Sequence, residues 1–265
     1  MKCLIINGSS RKGNTWKLTE MVKENLKSHS LDIIFEEVHL KNLNLPFCAG
    51  CSLCFRKGHE YCPHHEITEV IMAKIEESDG VIFTAPTYNM QMPALMKNLI
   101  DHFCFLMHRP RYFDKIALVV STTGAVGVKN ATKYMAGAVI GWGFNRCYQL
   151  PIASISWNDY QPTEKQRKKC AMVTERFYAD LVSKKLHSPA LSALIPYNLF
   201  RGMSRTYLPG TRYESYDGAY WEESGLLGEP YSPKVPMPIH KRAFGNFFYW
   251  LGKSMSKKVI VTYKK

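Results

Sequence analysis

The N-terminal region contains a polar stretch, Gly8-Ser9-Ser10-Arg11-Lys12-Gly13-Asn14-Thr15, between two apolar segments. Residues 2–7 before it are typical of a buried strand, and residues 18–26 after it repeat apolar side chains at helical spacing. A loop between a strand and a helix directs backbone N–H groups and the positive end of the helix dipole towards an anion. The stretch therefore predicts a phosphate site, to which the hydroxyl side chains and Arg11 contribute.

The spacing of glycines within this loop narrows the kind of phosphate. The loop contains neither the G-x-G-x-x-G spacing of dinucleotide sites nor the G-x-x-x-x-G-K-[ST] spacing of triphosphate sites. We therefore expect a mononucleotide phosphate. The alternative is an ordinary turn between a strand and a helix, in which Thr15 caps the helix.

The composition is that of a globular protein with a strong positive charge. The chain has 265 residues, of which 46% are hydrophobic and 22% charged, and its net charge is +13. Its apolar runs are too short to span a bilayer and it begins without a signal-peptide pattern, so we expect a cytoplasmic protein. The charge suits phosphates and NADPH, although nucleic acid or anionic lipid would also fit.

Predicted strands and helices alternate along most of the chain. The further strands lie at residues 32–40, 80–85, 115–122 and 146–152, and the further helices at about 67–78, 96–107, 129–141 and 163–185. The last helix begins with a capping box at Thr163-Glu164-Lys165-Gln166. This alternation predicts an α/β fold, namely a flavodoxin-like, doubly wound, five-stranded parallel sheet of order 2-1-3-4-5.

The C-terminal part has a different composition. We divide the chain into a flavodoxin-like domain, 1–187, and a basic, aromatic extension, 188–265, which we expect to be helical and irregular. From Lys234 onward the sequence contains eight Lys or Arg residues and no Asp or Glu. Two amphipathic helices are predicted from Leu191, Leu194, Ile195 and Leu199, and from Phe244, Phe247, Phe248 and Leu251.

The aromatic stripe of this extension has two interpretations. We expect it, together with Trp250, to dock on the main domain or on a second subunit, because apolar stripes usually bury against protein. The alternative is that the basic tail is a module that binds a membrane surface or nucleic acid. Membrane contact is possible but less favoured than docking on protein, and no nucleic-acid partner is expected.

Ligands of open α/β sheets bind outside the carboxyl ends of the strands. Two polar loops follow the third and fourth predicted strands, Pro86-Thr87-Tyr88-Asn89-Met90-Gln91-Met92-Pro93 and Ser121-Thr122-Thr123-Gly124-Ala125-Val126-Gly127. We expect both loops to join the phosphate loop in one site. Their small polar residues suit a flat heteroaromatic ligand, on which Tyr88 could stack.

These loops resemble those of the flavodoxin-like NAD(P)H-dependent FMN reductases and their iron–sulfur flavoprotein relatives. The resemblance covers roughly residues 1–186 and includes Lys97-Asn98-Leu99-Ile100-Asp101. It implies that the FMN phosphate is held by Ser9, Arg11, Asn14 and Thr15. It further implies that the isoalloxazine ring is lined by Pro86, Thr87, Tyr88, Asn89 and Met90, and that its other edge is closed by Ser121, Thr122, Thr123 and Gly124. Family members usually dimerise, so the resemblance also implies a homodimer or a higher homo-oligomer.

Four cysteines form a compact motif, C-x2-C-x2-C-x7-C, at Cys48, Cys51, Cys54 and Cys62. Such spacing can wrap one cuboidal cluster, whereas zinc sites more often use two separated pairs. The motif looks like that of iron–sulfur flavoproteins, in which all four residues hold one [4Fe–4S] cluster. A set of cysteines without a cluster is the alternative, because Pro63-His64-His65-Glu66 departs from the acidic pair usual in those relatives.

The remaining histidines and cysteines of interest receive structural interpretations. His59, His64 and His65 could join a metal site, but we interpret them as surface residues of a basic loop. The other cysteines are expected to be small core residues, namely Cys3, Cys104, Cys147 and Cys170.

The predicted function is an FMN-dependent oxidoreductase that takes electrons from NAD(P)H. We expect no catalytic side chain, because the flavin carries the chemistry. The acceptor would be a quinone, a nitro compound, a flavin or, through the cluster, a redox protein. Arg109 and Arg111 could attract the 2′-phosphate of NADPH, but we interpret them as surface arginines. A non-enzymatic electron carrier of the flavodoxin type is the alternative function, although such carriers are usually shorter and acidic.

Overall fold

A five-stranded sheet forms the centre of the computed structural model, which describes residues 1–256. Its strands are β1 (Lys2–Asn7), β2 (Ile34–His39), β3 (Gly80–Thr84), β4 (Ile116–Thr123) and β5 (Arg146–Ala153). They are all parallel in the order β2-β1-β3-β4-β5, which confirms the predicted topology. The strand order reverses between β1 and β3, so the loops that follow these two strands diverge and leave a crevice.

Helices cover both faces of the sheet. One face carries α1 (Asn14–His29) and α7 (Glu164–Ser183), and the other carries α3 (His65–Glu77), α4 (Ala94–His102), α5 (Phe105–His108) and α6 (Val128–Gly141). Successive strand residues point to opposite faces, so Cys3 and Ile5 join the first core while Leu4 and Ile6 join the second. Because both faces are buried, the central strands β3 and β4 are apolar except at their carboxyl ends, where Thr84 and residues 121–123 carry hydroxyl groups.

The element boundaries agree with the sequence pattern, with one exception. The capping box of α7 is confirmed, since Gln166 N donates to Thr163 Oγ1 at 3.3 Å and Thr163 N donates to Gln166 Oε1 at 3.0 Å. The single helix predicted at 96–107 is wrong. The chain turns at Phe103 and Cys104, so α4 ends at His102 and the separate short α5 follows.

The C-terminal extension adds α8 (Leu191–Met203), α9 (Tyr216–Glu223) and α10 (Ile239–Ser256). These helices surround a third apolar cluster that includes Tyr197, Trp221 and Tyr231, and Phe113 from the sheet domain completes it. The extension is therefore anchored on the sheet domain through an aromatic core. Residues 257–265, which the sequence assigns to the same extension, lie outside the described residues.

The α10 helix packs on α8 through glycines. A Cβ atom on Gly252 would lie 2.3 Å from the carbonyl oxygen of Leu199, and one on Gly202 would lie 2.2 Å from the carbonyl oxygen of Tyr249. The two helix backbones are thus in direct contact. The expected docking through the aromatic stripe is only partly seen within this chain: Phe244 packs against the third apolar cluster, whereas Phe247 and Trp250 are exposed, and docking on a second subunit stays a prediction.

We expect Gly252→Val to destabilise the protein, because the added side chain meets backbone atoms that cannot rotate away. Overpacking of this kind costs about 1–3 kcal/mol in the free energy of unfolding, measured by urea denaturation. Ser254→Val is the control, since Ser254 is exposed on the same helix and reports only the lower helix propensity of valine. An equal loss in both variants would contradict the glycine contact.

Within residues 1–256, the longest and most apolar helices fall short of what is needed to cross a membrane.

Candidate functional site

The phosphate loop lies where β1 meets α1. Gly8 has to be a glycine, because a Cβ atom there would lie 2.7 Å from the Cβ of Met96 on α4. Ser9 N donates to Asn7 Oδ1 at 3.0 Å, and Arg11 N donates to Ser9 Oγ at 3.3 Å, so side chains hold the loop in a compact turn. No side chain caps the first turn of α1 and no acidic residue lies in it. The start of this helix is therefore suited to an anion.

Hydroxyl groups connect the loops that follow β1, β3 and β4. Thr15 Oγ1 and Thr122 Oγ1 are 2.6 Å apart, and both residues are buried. Thr87 Oγ1 and Ser121 Oγ are 3.0 Å apart, which joins the loop after β3 to the end of β4. These bonds align hydroxyl-bearing side chains along one edge of the sheet.

One pocket opens at this edge. Its lining comes from the carboxyl ends of β1, β3, β4 and β5 and consists of Ser9, Arg11, Gly13, Asn14, Thr15, Pro86, Thr87, Tyr88, Thr122, Thr123, Gly124, Ser154, Ser156 and Trp157. The structure thus brings together all of the predicted cofactor-binding residues except Asn89, Met90 and Ser121.

These three residues have supporting positions. Ser121 is fully buried behind the pocket, where it bonds to Thr87. Asn89 and Met90 form the tip of a tight turn, with φ angles of 45° and 70°, which Tyr88 N closes by donating to Gln91 O at 2.7 Å. Neither residue lines the pocket, and Met90 packs against the loop at Gly127.

The loop after β5 also contributes to the pocket, although the sequence pattern did not predict it. The Asn14 side chain donates from Nδ2 to the carbonyl oxygen of Ser156 at 2.9 Å, and Ser154 Oγ donates to the carbonyl oxygen of Thr123 at 2.9 Å. Trp157 stands at the mouth of the pocket with 87% of its surface exposed. The predicted strand order could have indicated this loop, because β5 lies next to β4 and the carboxyl ends of the two parallel strands meet at the same edge of the sheet.

The pocket fits a phosphate ester that also carries hydroxyl groups. Backbone N–H groups at the start of α1, the nearby hydroxyls and Arg11 are donors for the phosphate. Asn14 Oδ1 is buried and has no hydrogen-bond partner among residues 1–256, while the Nδ2 of the same amide donates to Ser156. A buried acceptor of this kind fits a ligand hydroxyl, and the ribityl chain of FMN carries several.

The four cysteines of the compact motif line a second pocket, near α4. Cys48 and Cys51 are exposed. Cys54 is the second residue of the short helix α2 (Leu53–Arg56), and Cys62 comes directly after a further helical turn. All eight cysteines of the chain lie within the described residues and are free thiols. Four thiols around one cavity are a donor set that fits an iron–sulfur cluster.

Asn98 attaches this cysteine segment to α4. Its Oδ1 accepts from Cys48 N at 3.1 Å, and its Nδ2 donates to the carbonyl oxygens of Leu45 and Pro46 at 3.1 and 3.0 Å. The side chains of Lys97 and Asp101 form a local ion pair on the same helix. Asn98, for which the sequence predicted no role, is thus the residue of the stretch 97–101 that positions the cysteine segment.

His64 and His102 border the same pocket, so the interpretation of His64 as a surface residue is wrong. His64 Nδ1 and His102 Nε2 are 2.9 Å apart, and the Nδ1 of buried His102 is 2.8 Å from the carbonyl oxygen of Asn98. Burial lowers the pKa of His102. Ligand atoms of Cys62, His64 and His102 lie within 4.8 Å of one another, so these side chains could contribute to metal binding. His59 is also half-buried, and its ring stacks on Phe105 at 5.1 Å.

A fifth thiol reaches the cysteine pocket. Cys104, expected in the core, is half-buried and lines the cavity. A hydrogen bond between the Cys54 and Cys104 thiols raises the pKa of Cys54, to which burial adds, and lowers the pKa of Cys104. Cys104 reaches the pocket because it lies in the turn directly after α4. The apolar pattern of the sequence did not indicate this position.

The extension contacts the cysteine segment through a buried ion pair. Arg109 is 3% exposed and pairs with Asp217 of α9, so its interpretation as a surface arginine is wrong. Its guanidinium also donates to the carbonyl oxygen of Cys54 at 2.8 Å, and its plane lies 4.8 Å from the rings of Phe105 and Tyr216. Arg111, in contrast, is partly exposed and pairs with Glu76 at 2.6 Å.

The sequence model of the family described as NADPH-dependent FMN reductase matches residues 1–147, more than half of the 265-residue chain. The chain belongs to this family. It is therefore a flavodoxin-like enzyme of the FMN-dependent NAD(P)H oxidoreductases, and the carrier alternative is set aside.

Relatives within the family carry the name of iron–sulfur flavoproteins. An iron–sulfur flavoprotein of Clostridioides difficile is 28% identical over 226 residues, which cover 84% of this chain and 98% of that protein. An iron–sulfur flavoprotein of Archaeoglobus fulgidus is 37% identical over 159 residues, 58% of this chain and 74% of that protein.

Solved structures agree with the fold. The structure of an NAD(P)H:quinone oxidoreductase from Methanothermobacter marburgensis superposes with a TM-score of 0.51 at 17% identity, over 68% of this chain and 96% of the other. The similarity places the sheet domain among flavodoxin-like proteins.

Proposed function

We propose that this flavoenzyme holds one [4Fe–4S] cluster beside its FMN site and passes electrons from NAD(P)H to a redox protein or a small acceptor. The observation that carries the proposal is that Cys48, Cys51, Cys54 and Cys62 line one cavity, which is held to α4 by Asn98. The names of the relatives support the same cofactor pair.

FMN, when bound, supplies hydride and single-electron transfer. The chain binds and orients it. The start of α1 and the hydroxyls of Ser9 and Thr15 hold the phosphate, and Arg11 adds charge at the exposed side. Pro86, Thr87 and Tyr88 form one wall of the pocket and Thr122, Thr123 and Gly124 the facing wall.

The cluster, when bound, supplies single-electron transfer. The chain holds its ligands through backbone contacts, since Asn98 fixes Cys48 and Arg109 fixes the carbonyl group of Cys54. Two of the four thiols are exposed, so a protein acceptor can approach this side. We therefore propose a redox protein as the main acceptor class, with quinones as small-molecule acceptors.

The test is cofactor analysis of protein purified without oxygen. We expect FMN and about four irons per chain in the wild type, and we expect Cys51→Ala to lose most of the iron while it retains FMN. Cys170→Ala is the matched control, because Cys170 lies on α7 and is buried in the core on the α1 side of the sheet, and this variant should retain both cofactors. Wild-type protein that binds FMN and oxidises NAD(P)H without iron would be a plain FMN reductase and would refute the cluster.

We also propose that the enzyme is a homodimer, on its resemblance to the family. Light scattering should then give twice the chain mass of 30.4 kDa. A monomer at micromolar concentration would contradict this.

A further inference from the structure

The outer face of α10 is an apolar stripe without a partner in the described part of the chain. The helix turns its glycines towards α8, and its opposite face carries Ile239, Phe247 and Trp250, which are 84%, 57% and 64% exposed. Met255 near the end of the helix is also exposed, but it lies to the side of this stripe. Large apolar side chains aligned on one helix face mark an interaction surface, since isolated exposed residues would be scattered.

Positive charge borders this stripe. Lys253 is exposed on α10, and Arg242 of the same helix pairs with Glu229 at 3.7 Å. Arg205, which follows α8, donates to Tyr249 Oη of α10 at 2.9 Å. The α10 sequence itself contains no Asp or Glu, and neither do the residues from 257 to the end, which include four lysines.

The charge decides between the possible occupants. A second copy of α10 packed against the first would offer exposed Lys253 no counter-ion, because α10 carries no carboxylate of its own, whereas Arg242 is already paired with Glu229. An anionic bilayer offers both an apolar layer for the aromatic rings and negative headgroups for the cations. Tryptophan is, in addition, the side chain that favours the boundary between headgroups and acyl chains.

We propose that α10 is a membrane-surface helix that binds anionic lipid, with Phe247 and Trp250 inserted at the headgroup boundary and Lys253 at the phosphates. The helix lies in the plane of the surface, and its glycine face keeps it attached to α8. This inference goes beyond the redox function and does not depend on the cluster.

Vesicle co-sedimentation of the full-length, FMN-loaded protein tests the proposal. The vesicles are pure phosphatidylcholine or a 7:3 mixture with phosphatidylglycerol, at low and high salt. We expect binding to the mixed vesicles only, weakened by salt, and we expect the double variant Phe247→Ser/Trp250→Ser to partition about tenfold or more weakly. Leu31→Ser/Val182→Ser is the matched control, because both residues are exposed elsewhere and this variant should bind as the wild type does.

Three results would overturn the proposal. The first is equal partitioning of the two double variants, and the second is the absence of binding to anionic vesicles by the wild type. The third is a wild-type dimer that binds no vesicles and dissociates on the substitutions Phe247→Ser/Trp250→Ser, which would assign the stripe to a second copy of the chain. Unchanged NAD(P)H oxidation by that variant shows that the enzyme remains folded.

Discussion

The Asp217→Asn variant should lose about 3–5 kcal/mol in free energy of unfolding, because it leaves the charge of Arg109 buried without a counter-ion. Arg109 is 3% exposed, and His108 Nδ1 adds a contact to the same carboxylate at 2.7 Å. Urea denaturation of the FMN-loaded protein measures the loss. If the cluster is present as proposed, iron should also be released faster in air, because Arg109 would no longer be held against the carbonyl group of Cys54.

The control is the same substitution in an exposed pair of the same extension. Glu229→Gln removes the partner of Arg242 at 3.7 Å, where both side chains are close to half exposed, and should cost less than about 1 kcal/mol. Similar losses in the two variants would show that Asp217 does not act as a buried counter-ion. Loss of stability without faster iron release would separate its role in the fold from a role at the cysteines.

The Thr15→Val variant should bind FMN about tenfold to a hundredfold more weakly. The substitution preserves the shape of the side chain, but it removes a hydroxyl from the pocket and leaves the Oγ1 of Thr122 without its buried partner at 2.6 Å. Quenching of flavin fluorescence during titration of the FMN-free protein measures the dissociation constant.

Thr19→Val is its control, one helical turn away. Thr19 is also fully buried, and its Oγ1 bonds to Thr84 Oγ1 at 2.7 Å and to the carbonyl oxygen of Thr15 at 2.9 Å, but it does not line the pocket. The two variants should therefore lose similar stability while only Thr15→Val loses affinity. Equal dissociation constants would place the FMN phosphate elsewhere.

The strand order and most of the pocket could be predicted from the sequence, because both depend on local patterns. Alternating strands and helices predict a parallel sheet, and the carboxyl ends of parallel strands meet at one edge. The stretch at residues 8–15 and the loop at 121–124 could therefore be assigned to one site before any contact was known. The cysteine motif was equally visible, since its residues are close in sequence.

The misses share a physical cause, which is that each depends on residues far apart in the chain. Arg109 and Asp217 are separated by 108 residues, so nothing near Arg109 in the sequence indicated that it would be buried. Cys104 and His102 reach the cysteines because the cysteine segment, more than 35 residues earlier, folds against α4, where Asn98 binds it.

The aromatic helix of the extension shows the same division. Its sequence alone determined that α10 would be amphipathic, because aromatic residues recur at helical spacing and acidic ones are absent. Only the tertiary structure decided which face would be buried. Helix backbones can approach closely where side chains are missing, so Gly245 and Gly252 face α8 and the large rings remain outside. Hydrophobicity predicts which side chains tend to be buried, but the close fit between two backbones determined the orientation of this helix.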